Sequence, residues 1–325
     1  MKTIKLKNYS NKTNIVKKIV FIDGVTRSGK LLTGSLISSF QKMESLVFGE
    51  NFEHFMPALK LKKCSYDFAR SYLNNYINQT IYNKMISRDV NFRPRDITSI
   101  RNFFKPILYK KRLTKPEGDV VLKKIKLLNP ILPFVTHDIM MNYNIFKKLN
   151  IKVKLIEIYR NPFELTHSWF ERNLANNLEN SKRSFTLKIM NRKKEYPWYL
   201  KDLPKNWDKF NDHEKCAYYV ILNTTESIKK QKKIKDKKFL YTTTYTHITE
   251  NTHSELKKIA RFLGTNFSNK TKEIIRKKNC PNFSFRKLIK KKKKYLKQKL
   301  SNKIYQKLLK LESDYNKNIY GLKKY

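Results

Sequence analysis

Lys18-Ile19-Val20-Phe21-Ile22-Asp23 runs directly into Gly24-Val25-Thr26-Arg27-Ser28-Gly29-Lys30, and this junction decides the fold. The first part is a β-branched apolar run, which reads as a buried strand. The second is a turn with glycine at both ends, opening a helix expected from Lys30 to about Met43. A strand, a glycine-bounded turn and a helix N-terminus make an anion site, because free N–H groups converge there and the helix dipole favours negative charge. Working outward, Glu44–Gly49 reads as a second short strand, Ile131–Thr136 as a third with His137 at its end, Val153–Tyr159 as a fourth and Lys238–Thr243 as a fifth. Helices are expected over Ser65–Ile86, Ile139–Leu149, Phe163–Asn173, His213–Lys230 and Ser254–Leu263; Gly264 follows the last where a C-cap glycine belongs. Such alternation implies a parallel sheet covered on both faces.

The chain has 325 residues, 40% of them hydrophobic and 13% aromatic, so a sizeable core can form and global disorder is excluded. One domain over residues 1–325 is expected, with a core at about 18–264. Within it, about 88–130 is a helical insertion; Asp89–Gly118, rich in Arg, Pro and Lys, reads as an insertion or lid. Residues 180–210 form an irregular stretch bearing Trp and Pro. A Lys-rich, amphipathic helical tail covers about 284–325, and its run Lys290–Lys294 reads as a solvated helix face. Residues 1–17 are a polar lead-in.

Lys+Arg 72 against Asp+Glu 26 leaves a net charge of +46. Basic surface is the footprint of phosphate recognition, yet these lysines run from Lys2 to Lys324 and are not confined to one face or tail. With Asn, Ile, Tyr and Phe also abundant, the pattern reads as AT-rich codon usage; nucleic acid is not the expected partner, though anionic ligands are favoured. Cys64, Cys216 and Cys280 lie far apart with no zinc spacing, which suits a reducing compartment. A cytoplasmic protein without an integral membrane segment is expected, since no apolar stretch approaches the ~18 residues a bilayer span needs. Oligomeric state is not legible.

Gly24 to Lys30 also satisfies the pattern GxxxxGK, but Leu31 stands where a nucleoside-triphosphate loop needs the Ser or Thr that coordinates Mg²⁺. The fold is therefore expected to be a P-loop-type three-layer α/β/α architecture whose loop holds phosphate without that metal ligand. Two other readings stay open: an ATP-dependent kinase or NTPase, with Lys30 on the phosphates and Asp138 organising Mg²⁺, and a non-enzymatic nucleic-acid binder in which the loop only grips phosphate.

VTRSGKLL resembles the 5′-phosphosulfate loop of the sulfotransferase superfamily, commonly [KR]SGTT[LW]. Arg27 takes the basic position, followed by Ser28 and Gly29, while Lys30 and Leu31 replace the usual Thr-Thr. Ile156 to Pro162, followed by Ser168, resembles the family's 3′-phosphate motif. There an Arg at a strand end, here Arg160, precedes a helical Ser by eight positions. Phe239 to Tyr245 and Arg261-Phe262-Leu263-Gly264 resemble the late strand and its "FLG" helix, with Thr246 and His247 in place of an acidic pair. Arg276-Lys277 is a counterpart of the RKG loop without its glycine. The resemblance covers about Lys18 to Gly264. It implies transfer of a sulfuryl group from 3′-phosphoadenosine 5′-phosphosulfate (PAPS) to a hydroxyl or amine, with no metal required. Thr26, Arg27, Ser28, Gly29, Lys30, Leu31, Arg160, Ser168, Arg276 and Lys277 would hold the nucleotide. The acceptor, whether carbohydrate, lipid or small metabolite, is not specified.

An attacking hydroxyl must lose a proton, so a His or Glu general base is required. Thr136-His137 resembles the Thr-His of the cytosolic members. The segment around Glu50 and Glu53 resembles the catalytic Glu segment of the glycan-modifying members. His137 and Glu50 or Glu53 are therefore alternative bases. Arg27 and Lys30 would stabilise charge on the leaving nucleotide.

Overall fold

The computed structural model describes residues 14–148, 151–191, 193–234 and 238–321. Residues 1–13 of the polar lead-in, Leu149 at the end of an expected helix and residues 322–325 of the tail lie outside the described residues. Among the described residues seven strands are formed: β1 (Lys18–Asp23), β2 (Val47–Phe48), β3 (Ile131–Val135), β4 (Lys154–Tyr159), β5 (Lys188–Asn191), β6 (Lys194–Pro197) and β7 (Leu240–Thr244). Five of them make one parallel sheet in the order β2-β3-β1-β4-β7. The strand quoted first is thus central, and every residue of β1 after Lys18 is buried.

Alternation along β1 divides the core. Val20 and Ile22 face the helices Lys30–Ile37, Thr252–Leu263 and Thr271–Lys277, through Leu36, Ile37, Ile259 and Ile275. Phe21 faces Glu50–Lys60 and Tyr66–Met85 on the opposite side, through Phe52, Met56, Leu73 and Ile77. These are the three expected layers. A third apolar cluster joins helices Pro162–Phe170 and Asp212–Lys232 to the C-terminal helices Ser284–Lys299 and Asn302–Tyr315.

Four local expectations change. The helix from Lys30 stops at Ile37 because Ser39 Oγ donates to the Leu36 carbonyl at 2.5 Å, a side-chain bond that competes with helical continuation. Phe40 then turns inward to stack on Phe267, with centroids 5.2 Å apart. The irregular stretch contains the antiparallel hairpin β5–β6. The segment read as an insertion or lid is tied down: Arg112 forks onto both oxygens of Glu44 at 2.8 and 2.9 Å, and Tyr109 donates to the same carboxylate at 2.7 Å. Within the lysine run, Lys290, Lys291 and Lys294 are exposed, but Lys292 and Lys293 turn toward Glu164 and Glu312. No described helix is long and apolar enough to cross a membrane.

Candidate active site

The loop after β1 is shaped by three residues in the positive-φ region: Gly24 (+145°), Arg27 (+74°) and Gly29 (+107°). A Cβ on Gly24 would stand 2.4 Å from the Ile158 carbonyl, so the loop can lie against β4 only with glycine there. Trp169 Nε1 donates to the Thr26 carbonyl at 2.7 Å and clamps the loop from outside.

This clamp brings the two expected anion motifs together. Arg27 Nε donates to Ser168 Oγ at 3.1 Å, and Arg160 Nη1 donates to the Arg27 carbonyl at 3.2 Å. Parallel pairing of β1 with β4 makes the meeting possible, since both strands deliver their following loops to one edge of the sheet. The Arg160 guanidinium lies 4.3 Å from the centroid of the Tyr245 ring. Burial, with the charges of Arg172 and Arg160, works against protonation of Arg27 and lowers its pKa. Cationic groups held this close favour an anion among them. Ser28 Oγ, buried within the loop, has no hydrogen-bond partner among the described residues.

Lys30 behaves differently from Arg27. Its Nζ donates inward to the carbonyls of Gly24 and Val25, at 2.9 and 3.3 Å, and the residue is 3% exposed. Burial pushes its pKa down while Asp23, Asp138, Glu53 and Glu157 pull it up. Lys30 therefore holds the loop's own carbonyls. Leu31, at the next position, is 41% exposed. Thr26 is half-buried on the far side of the loop and lines a cavity. Arg276 and Lys277 are exposed on helix Thr271–Lys277, where Lys277 pairs with Glu273 at 2.7 Å. Among the described residues neither is hydrogen-bonded or ion-paired to the loop, Arg160 or Ser168.

His137 and Glu53, expected as alternatives, are partners. Glu53 Oε1 accepts from the backbone N–H of His137 at 2.8 Å and lies 2.8 Å from its Nδ1. Burial alone would raise the Glu53 carboxyl, but the charge and hydrogen bonds of His137, with Lys30, hold it below its ordinary value. An ionised Glu53 assigns the proton to Nδ1, which leaves Nε2 with a free lone pair. Glu50 is exposed one turn earlier in the same helix and lines the same cavity.

Several neighbours went unread in the sequence. Glu164 is buried 3.6 Å from Arg160 Nε and 3.8 Å from Lys292 Nζ. Its i,i+4 spacing from Arg160 is a signal the sequence does carry. Lys292 is brought in by the folding-back of the tail, which has no local signal. Asp138, which the sequence offered only as the Mg²⁺-organising acid of the kinase reading, is half-buried beside His137, with its carboxyl pushed up to about 7 by burial first and Asp23 second.

Fold and site together describe an α/β protein whose glycine-bounded loop gathers Arg27, Arg160 and Ser168 on one flank, with His137 paired to Glu53 on the other. A family model for the sulfotransferase domain matches residues 17–318, and the chain belongs to that family; it is a sulfotransferase. Membership implies a nucleotide sulfate donor and an acceptor. Among solved structures, the sulfotransferase domain from the curacin biosynthetic pathway is similar at 13% identity, over 79% of this chain and 77% of that one, with a TM-score of 0.44. The sulfotransferase domain from the Synechococcus PCC 7002 olefin synthase is similar at 11% identity, over 95% and 98%, with a TM-score of 0.47. No curated protein matches the chain.

Proposed function

We propose that the donor is PAPS and that the chain moves its sulfuryl group to an acceptor hydroxyl or amine with His137 as general base. The observation that carries this reading is the convergence of Arg27, Arg160 and Ser168 through two hydrogen bonds. A nucleotide bearing phosphates at both ends of its ribose needs two anion contacts at once, and these residues supply them from two motifs. Ser28 Oγ, without a partner among the described residues, fits the same group as a buried donor.

PAPS supplies an activated sulfuryl group whose S–O bond to phosphate breaks as the acceptor's bond to sulfur forms. His137 Nε2 takes the acceptor proton. Glu53 keeps the ring oriented and offsets the imidazolium charge that results. Arg27 neutralises charge on the oxygen that remains with the departing bisphosphate. Leu31 offers no hydroxyl to a metal at the loop.

Calorimetric titration with adenosine 3′,5′-bisphosphate and with ATP, each in Mg²⁺ and in EDTA, tests the donor. The bisphosphate should bind without metal, and Arg160→Ala should weaken it by about ten- to a hundredfold, as loss of a charge-assisted contact does, with a smaller loss for Ser168→Ala. Preference for ATP that disappears in EDTA overturns the reading.

A further inference from the structure

The transfer reading leaves the acceptor unspecified. The cavity beside His137 bears on its chemistry, provided that reading holds. It encloses about 240 Å³ and reaches from Thr26 of the loop to Trp198 and Tyr199. In a chain with 72 Lys+Arg, its described lining contains neither residue. Its carboxyl and imidazole groups are those of Glu50, Glu53, Asp138, His54 and His137.

Other cavities of the same molecule show how unusual this is. One at the opposite end of the sheet is edged by Lys17, Lys18, Lys147, Lys152, Lys154 and Lys238. A groove sharing the Trp198 and Tyr199 wall has Lys60, Lys201 and Lys230 on its side, with Lys60 Nζ 4.9 Å from the Trp198 ring. A third, beyond Glu50, has Lys84 and Arg88. The general excess of cations thus reaches each of these walls and stops at the one facing the candidate base.

Apart from Thr26, Asn142 and Thr186, the remaining lining is aromatic or aliphatic. Phe48, Phe185, Leu187, Trp198 and Tyr199 surround the space, and ring faces favour both planar apolar groups and cations. His54 Nε2 lies 2.9 Å from the Phe185 carbonyl, which ties that wall to the helix carrying Glu50 and Glu53. Asp138 Oδ1 is buried and has no hydrogen-bond partner among the described residues, so an acceptor's carboxylate held against this wall would face acidic oxygens with no Lys or Arg in the described lining.

We infer that the acceptor is a compact, ring-bearing alcohol, phenol or amine that is neutral or cationic, and that the pocket rejects anionic acceptors such as acidic glycans. Tyramine, 4-ethylphenol and 3-(4-hydroxyphenyl)propionate share one phenol and differ in the charge of the side chain. With PAPS and mass-spectrometric detection of the sulfated product, kcat/KM should be highest for tyramine and at least tenfold lower for the propionate than for 4-ethylphenol. Glu50→Gln and Asp138→Asn should each narrow the tyramine-to-propionate ratio severalfold, whatever they do to the absolute rate. Equilibrium binding of the three phenols to protein saturated with adenosine 3′,5′-bisphosphate reads the same order without turnover. A propionate that equals or exceeds the neutral phenol, a ratio that both variants leave alone, or binding of none of the three overturns the inference. The donor reading fails separately, if the bisphosphate itself does not bind.

Discussion

The two flanks of the glycine-bounded loop carry opposite charge. On one, Arg27 stands near Arg172 and Arg160, and burial first and these charges second lower its pKa. On the other, Glu50, Glu53 and Asp138 edge an aromatic cavity with no Lys or Arg among its described lining. Lys30 lies between them, buried, its ammonium spent on loop carbonyls while four carboxyl groups act on it. A net charge of +46 thus says nothing about the sign of the field at any one point of the site. A few buried groups at short range, where the dielectric is low, outweigh dozens of solvated lysines screened within about 10 Å. In the reading proposed here the division is useful: one flank holds an anion, and the other receives a proton.

The sharpest way to break this division is to remove the proton acceptor. His137→Ala should lower kcat by about a hundredfold to ten-thousandfold, the usual worth of a positioned general base. Affinity for adenosine 3′,5′-bisphosphate should stay within about twofold, because no Arg27, Arg160 or Ser168 contact is touched. Glu53→Gln should fall between wild type and His137→Ala, since an amide still meets the ring but cannot offset its charge. Parallel loss of rate and bisphosphate affinity in His137→Ala would mean that the flanks are one unit.

A second test contrasts a buried charge that is fully paired with one that is not. Glu44 and Arg112 have side chains only 5% and 2% exposed, and their double contact anchors the insertion beside β2. Glu44→Ala strands the guanidinium and should cost about 3–5 kcal/mol in denaturant unfolding, whereas replacing both by Met should recover most of that loss. A Glu44→Ala variant of unchanged stability would return the insertion to the status of a detachable lid.

These contrasts also mark what the sequence could disclose. β1, its loop, the Arg160 motif and the Gly264 cap were legible because each is a local pattern, and strand alternation then implied the parallel sheet. The pairing of His137 with Glu53 was not legible. The residues are separated by 84 positions and meet only because β2 pairs with β3, which sets the helix opening at Glu50 beside the loop after β3. Arg112 with Glu44, and Lys292 with Glu164, are hidden for the same reason. The end of the first helix at Ile37 depends on Ser39 and on the burial of Phe40, a tertiary outcome that overrides a periodic pattern. The charge of the acceptor cavity is the least legible of all, because its lining comes from five separate stretches of chain.

The smallest expected effect is on the acidic flank itself. Asp138 titrates near 7 in the folded protein, against an ordinary value of 3.8, chiefly through burial and next through the nearby Asp23. A carboxyl whose folded pKa is raised is protonated more readily in the folded chain than in the unfolded one. Its ionisation therefore works against the fold: the cost is absent below about pH 4, grows as pH rises toward 7 and is complete above that. Asp138→Asn removes the ionisation and keeps the shape. Its melting temperature relative to wild type should climb through that window and level off above pH 7, at a gain of a few degrees. Melting curves at pH 5, 6, 7 and 8 decide the matter. A gain that is the same at every pH would mean that Asp138 ionises in the fold as it does in water, and the acidic flank would then be ordinary solvated surface, with no power to discriminate the charge of an acceptor.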